Sequence, residues 1–175
     1  MSDVSLSVIN PVTLAQLYLV ASCTPPGIFV ELGVYKGGSA RILADVAESQ
    51  GRELHLFDTF TGMPFQHTGD SHKVGDFADT DESSVRALIP SAIFHVGVFP
   101  QTMPGNLKPI AFCHIDADQY QSYVDAIALF SPLMVKGGIM WFDDCDSLES
   151  ATKAVNEAFG DRVIRGEMLK PIVRF

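Results

Sequence analysis

Short apolar runs alternate with longer amphipathic stretches along nearly the whole chain, and that alternation leaves few folds open. "IFVELG" (28–33), "ELHLFD" (53–58), "AIFHVGVF" (92–99), "IAFCHID" (110–116) and "GIMWFDD" (138–144) are short, largely apolar and bounded by turn or polar residues, so they predict buried strands. Helices are predicted over 11–22, 37–51, 82–89, 120–134 and 147–160. Pro11 is tolerated at a helix start, and Gly51 is a natural stop. "RVIRG" (162–166) and "KPIVRF" (170–175) predict two final strands, arranged as a hairpin. Buried strands alternating with helices give an α/β fold, a mostly parallel sheet with helices on both faces. Without a repeat, low-complexity tract or linker, residues 1–175 read as one domain.

Composition narrows the function. The chain is 47% hydrophobic, which suits a packed globule rather than disorder. No apolar run approaches the roughly 18 residues of a membrane span. "MSDVSLSVINP" lacks a basic segment followed by an apolar one, so no signal peptide is expected. Three cysteines without CxxC spacing give neither a disulfide framework nor a zinc site, and the expectation is a reduced, cytoplasmic protein. A net charge of −9 argues against nucleic acid as a partner and leaves a homo-oligomer open.

The strand ends carry the chemistry. In parallel sheets ligands sit beyond the carboxyl ends of the strands. Here those ends hold Asp58, then Asp116 and Asp118 in "HIDAD", then Asp143, Asp144 and Asp146 in "FDDCD". The turn "VELGVYKGGS" (30–39) joins the first strand to its helix, with Gly33 for a tight turn and Gly37 and Gly38 opening the helix. Its GxxxGG spacing is neither the GxGxxG dinucleotide fingerprint nor a P-loop. Glu31 before the first glycine would repel a pyrophosphate but suits a ligand with an ammonium group, which favours S-adenosylmethionine over NAD. Asp58 at the next strand end can accept from both ribose hydroxyls. Singly, Gly33 also reads as an ordinary turn and Asp58 as a helix cap.

Other residues have bland readings beside functional ones. Asp118 either faces the pocket or caps the helix near Tyr120, with capping favoured. Asp146 reads as a cap or a solvated acid. The long polar loop 61–81 suits a lid, and His67 or His72 in it is a candidate base or simply a solvated histidine. His55, His95 and His114 lie within strands and read as core residues. Tyr120 and Trp141 either line an acceptor cleft or pack.

Four blocks, "VELGVYKGGS", "HLFDTFTGMP", "HIDADQYQS" and "GGIMWFDDC", resemble in order the macrocin O-methyltransferase family. These are class I S-adenosylmethionine-dependent enzymes that methylate sugar hydroxyls of natural products with magnesium. The resemblance spans about residues 28–146 and implies a Rossmann-like, seven-stranded sheet with an antiparallel last strand. It places Glu31, Gly33, Val34, Tyr35, Gly37, Gly38 and Ser39 around the cofactor's methionine end. Asp58, Thr59 and Phe60 would meet the ribose and adenine, and Gly97, Val98 and Phe99 the adenine, with Asp116 also at the cofactor. It assigns Mg2+, or another divalent cation, to Asp116, Asp143 and Asp144, an all-oxygen set of the kind magnesium prefers. The cation would polarise the acceptor hydroxyl, and Asp116, His67 and His72 are the candidate catalytic residues. After the third block this chain departs from the family, with Gln121, Ser122 and Tyr123, and Cys145 follows the paired aspartates. The leading expectation is an O-methyltransferase acting on a small-molecule hydroxyl, with no membrane partner. The competing readings are a nucleotide-sugar glycosyltransferase using "DAD" as its metal motif, and an inactive ligand-binding protein of the same fold.

Overall fold

The computed structural model describes residues 7–166 and 169–175, organised around a six-stranded sheet in the order β3-β2-β1-β4-β5-β6. The strands are β1 (Ile28–Leu32), β2 (Leu54–Asp58), β3 (Ile93–Val96), β4 (Ile110–Ile115), β5 (Met134–Phe142) and β6 (Ile172–Arg174). Neighbours pair in parallel except β5 and β6, which are antiparallel with Trp141 opposite Ile172. The expectation of seven strands is corrected to six among the described residues. Segment 162–166 contributes only an isolated antiparallel bridge from Ile164 to Ile172. Its Val163 joins the core, but Ile164 is exposed and Arg165 turns to Asp146 and Asn156, so the pairing does not extend into a strand.

The helices are α1 (Pro11–Ser22), α2 (Gly38–Ser49), α3 (Glu82–Leu88), α4 (Tyr120–Phe130) and α5 (Glu149–Phe159). Asn10 caps α1 by accepting from the Thr13 N–H at 3.0 Å, a bond typically worth about 1 kcal/mol. α4 stops short of the expected residue 134. Pro132 falls in a 3-10 turn over Ser131–Leu133, and β5 begins directly after it. The early start of β5 is absorbed by an irregularity: Ile110 faces Met134, yet Phe112 faces Ile139, with Gly137 at φ +83° inside the bulge.

Two cores flank the sheet. On one face Tyr123, Ile127 and Phe130 of α4 and Val155 and Phe159 of α5 pack on Val30, Cys113, Met140 and Phe142. On the other, Leu14 and Leu17 of α1 and Leu43 and Val46 of α2 pack on Phe29, Phe112 and Trp141. Burying side chains of this size stabilises the fold by about 1.5–3 kcal/mol each. Cys23, Cys113 and Cys145 are all free. Among the described residues no helix is long and apolar enough to cross a membrane.

The strand order reverses between β1 and β4. Such a switch opens a crevice beyond the strand ends, because the helices following the two strands lie on opposite faces.

Candidate active site

The crevice is built by backbone. Gly33 follows β1 at φ +88°, and its N–H donates to the Phe57 carbonyl at 3.0 Å. A Cβ on Gly33 would lie 1.8 Å from the Asp116 carbonyl oxygen, so only glycine lets the ends of β1 and β4 come together. The parallel pairing runs on past the strands. The Asp116 N–H donates to the Leu32 carbonyl at 2.9 Å, and that of Asp143 to the Ile115 carbonyl at 3.0 Å. Asp116 and the Asp143–Asp144 pair are thereby delivered to one place, where one carboxylate oxygen from each lies within 4.8 Å of the others. Asp116 is half-buried, and Asp143 and Asp144 are buried.

The glycine turn is held by a carboxylate. Asp58 Oδ2 accepts from the Val34 N–H at 2.6 Å and the Tyr35 N–H at 2.9 Å, and Oδ1 from the Phe60 N–H at 2.7 Å. A cavity of about 310 Å3 is lined by Gly33, Tyr35, Asp58, Thr59, Gly97 and Phe99 together with Asp116, Asp143 and Asp144.

The other expected cofactor residues do not line this cavity. Val34 is buried, Ser39 is buried in α2, and Phe60 packs near Phe94. Gly37 caps α2 with φ +85°, Gly38 packs against Ser7, and Val98 is exposed. Glu31 departs most from expectation. It lies within β1, fully buried, and its Oε1 is 2.7 Å from His114 Nδ1, a partner on β4 that the sequence reading left in the core.

Crowded carboxylates shape the electrostatics. Burial, reinforced by Asp144 and Asp143, holds Asp116 well above the ordinary carboxylate range. Burial and the same two neighbours push Asp118 to about 8. Asp144 is also raised by burial, although the Asp118 N–H donates to its Oδ2 at 3.0 Å. Burial would raise Asp143 too, but His114 and Lys170 outweigh it and bring Asp143 below its usual value. Burial alone disfavours a charged His114, but its carboxylate neighbours Asp143 and Glu31 raise it to about 10. Without a cation, such a cluster must take up protons.

The 61–81 loop closes over the cavity and separates the two histidine candidates. His72 Nε2 lies 3.4 Å from Asp118 Oδ1, beside the acids. His67 is exposed and its ring lies tilted 5.2 Å from that of Phe65. Asp118 lines the cavity and does not cap α4. That task falls to Asp70, whose Oδ1 accepts from the Tyr120 N–H at 3.0 Å while Oδ2 accepts from the His67 N–H at 2.9 Å. Asp146 is a solvated acid paired with Arg165. Trp141 is fully buried and Tyr120 bonds Glu157, so neither lines the cavity.

Several site residues escaped the sequence reading. Lys170 lines the cavity and donates to the Asp143 carbonyl and to Oδ2 at 3.2 Å. Its one signal is its place just before a strand pairing with β5. The buried Tyr123 hydroxyl lies 2.9 Å from both the Ile115 carbonyl and Asp144 Oδ2. Helical spacing marks Tyr123 only as core. Met63, Pro64, Phe65 and Phe77 give the lid an apolar inner side that its polar composition concealed.

Known proteins resemble this chain in sequence and in fold. A 4'-O-methyltransferase of 8-demethyl-8-(2,3-dimethoxy-alpha-L-rhamnosyl)-tetracenomycin-C from Streptomyces olivaceus is 28% identical over 155 residues, covering 77% of this chain and 59% of that protein. Demethyldecarbamoylnovobiocin O-methyltransferase from Streptomyces niveus is 26% identical over 151 residues, covering 75% and 58%. The chain thus spans just under three fifths of the length of these relatives. The solved structure of the O-methyltransferase NovP superposes with a TM-score of 0.84 at 21% identity, over 97% of this chain and 81% of that one, and so shares the fold. The family described as "Methyltransferase domain" matches residues 30–145, from the strand before the glycine turn to the residue after the paired aspartates, and the chain belongs to that family.

Proposed function

We propose that this chain transfers the methyl group of S-adenosylmethionine to a hydroxyl of a sugar or another small natural-product acceptor, assisted by Mg2+ or another divalent cation. One observation carries the reading: a single cavity is lined by the glycine turn with Asp58 and by the three-carboxylate cluster. Both curated relatives are named as O-methyltransferases of natural products, one acting on a rhamnosyl unit.

The residues present fit both groups. Asp58 spends three of a carboxylate's roughly four acceptor positions on amides, which leaves one for a ribose hydroxyl. Tyr35, Thr59, Gly97 and Phe99 supply the rest of that wall. Asp116, Asp143 and Asp144 offer an oxygen-only donor set, and Asp143 Oδ1 is buried without a hydrogen-bond partner. When bound, the cofactor supplies an activated methyl group and the cation polarises the acceptor oxygen.

The chain's own residues do the remainder. Asp118 lines the cavity with His72 3.4 Å from it, so we assign it the acceptor hydroxyl's proton, which His72 can carry on from the carboxylate as the hydroxyl oxygen bonds the methyl group. Asp116, with Asp143 and Asp144, would hold the cation beside the acceptor oxygen. The apolar lid residues exclude water and receive the acceptor's body.

The test is incubation with methyl-labelled S-adenosylmethionine and a panel of glycosylated acceptors, with and without chelator. Label should pass to a hydroxyl, stop on chelation and return with added Mg2+. A folded protein that binds no S-adenosylhomocysteine in calorimetry would reject the reading.

A further inference from the structure

A row of polar side chains lies buried beneath the acid cluster. Glu31, His114 and Trp141 are direct neighbours across β1, β4 and β5. In strands alternate residues share a face. Asp116 follows His114 by two residues, and Asp143 follows Trp141 by two, so the row leads to the carboxylates. Glu31 and His114 are both fully buried, yet four atoms of this set lack a hydrogen-bond partner: Glu31 Oε2, His114 Nε2, Trp141 Nε1 and Asp143 Oδ1. The first contact is close, Glu31 Oε1 to His114 Nδ1 at 2.7 Å. The second is open, His114 Nε2 to Asp143 Oδ1 at 3.9 Å, beyond hydrogen-bond range. Lys170 holds the other oxygen of Asp143. Asp143 is thus held on one oxygen by Lys170 and faces with the other a buried pair for which cofactor binding offers no use, since Glu31 does not line the cavity.

Building on the function proposed above, we propose that Glu31 and His114 are positioning residues for Asp143, holding its carboxylate for the divalent cation, and that Glu31 acts through His114 rather than on the cofactor. Glu31 fixes the ring of His114 through Nδ1, which leaves Nε2 aimed at Asp143. The role follows a general pattern in which partners behind a metal ligand orient it and tune its charge. Burial is consistent with it: an unpaired glutamate at this depth is strongly disfavoured, whereas one paired to an imidazole is tolerated.

The experiment titrates Mg2+ into the S-adenosylhomocysteine-loaded wild type, Glu31→Gln and His114→Gln by calorimetry, and separately measures S-adenosylhomocysteine affinity. Each variant should bind Mg2+ roughly 10–100-fold more weakly, while S-adenosylhomocysteine affinity stays within about twofold of wild type, because neither residue touches the cofactor wall. A double variant, Glu31→Met with His114→Leu, guards against unfolding by replacing the pair with apolar groups of similar size. It should recover thermal stability and still bind Mg2+ weakly. If Mg2+ affinity recovers with stability, the pair is merely structural and the proposal fails. If Glu31→Gln instead loses S-adenosylhomocysteine binding with Mg2+ affinity intact, Glu31 belongs to the cofactor site and the proposal also fails. A wild type that binds no Mg2+ would reject the metal reading itself, a separate outcome.

Discussion

Asp58→Ala would strand three backbone amides at once, those of Val34, Tyr35 and Phe60. Hydrogen bonds to a charged acceptor are worth about 1.5–3 kcal/mol each, so even with solvent access a loss of about 3 kcal/mol is expected in urea denaturation. S-adenosylhomocysteine affinity should fall at least roughly tenfold with it. An unchanged midpoint would show that the turn holds itself. Gly33→Ala faces a harder obstacle, a Cβ 1.8 Å from the Asp116 carbonyl at φ +88°. A loss of at least about 3 kcal/mol is expected by the same measurement. A wild-type-like melt would contradict the account of that turn. The sequence marked both positions correctly as parts of the turn and strand end. It could not show that Asp58 braces the turn, because that depends on three amides converging across a loop. For the same reason Glu31 read as a cofactor ligand: its partner His114 is distant in sequence and meets it only through strand pairing.

The histidines on β2 and β3 also make a prediction. His55 Nδ1 and His95 Nε2 are 2.9 Å apart, and burial lowers both from the ordinary 6.5. The folded protein therefore resists protons that the unfolded chain takes up. Their contribution is full above 6.5 and is lost as pH falls below it toward the folded values. Thermal melts should show a steeper decline on acidification for wild type than for His95→Asn. Parallel curves would remove this pair as the cause.

At the scale of elements, the lid depends on a helix end. Asp70 reaches from the loop to cap α4 at Tyr120, and the Gln119 side chain donates back to the Phe65 carbonyl. Asp70→Ala should cost about 1 kcal/mol, the usual value of a cap. It should also speed proteolysis within 61–81 and raise the acceptor KM more than it lowers kcat. Equal cleavage rates in the two proteins would show that the loop is held elsewhere. The existence and order of the strands and helices were legible from periodicity, because buried strands and amphipathic helices leave different repeats. Their ends were less so. Pro132 and Gly137 move the start of β5 forward through a bulge, and segment 162–166 buries Val163 but leaves Ile164 exposed, so it pairs through a single bridge. Bulges and edge strands are decided by tertiary packing, which a local pattern does not carry.

At the scale of the whole molecule, strand order places the function. The reversal between β1 and β4 opens the crevice, and the ladder extending past β4 and β5 fills it with acids beside the glycine turn. The acids were legible because a buried strand gains nothing from a carboxylate at its end. Lys170 was not, because it comes from the segment just before the antiparallel strand β6, at the far end of the chain. The most direct test of the account is anomalous diffraction from a crystal grown with S-adenosylhomocysteine and Mn2+. The account predicts one manganese peak coordinated by Asp116, Asp143 and Asp144, in the same cavity as the cofactor. A cofactor bound in that cavity with no manganese among the three carboxylates would contradict it.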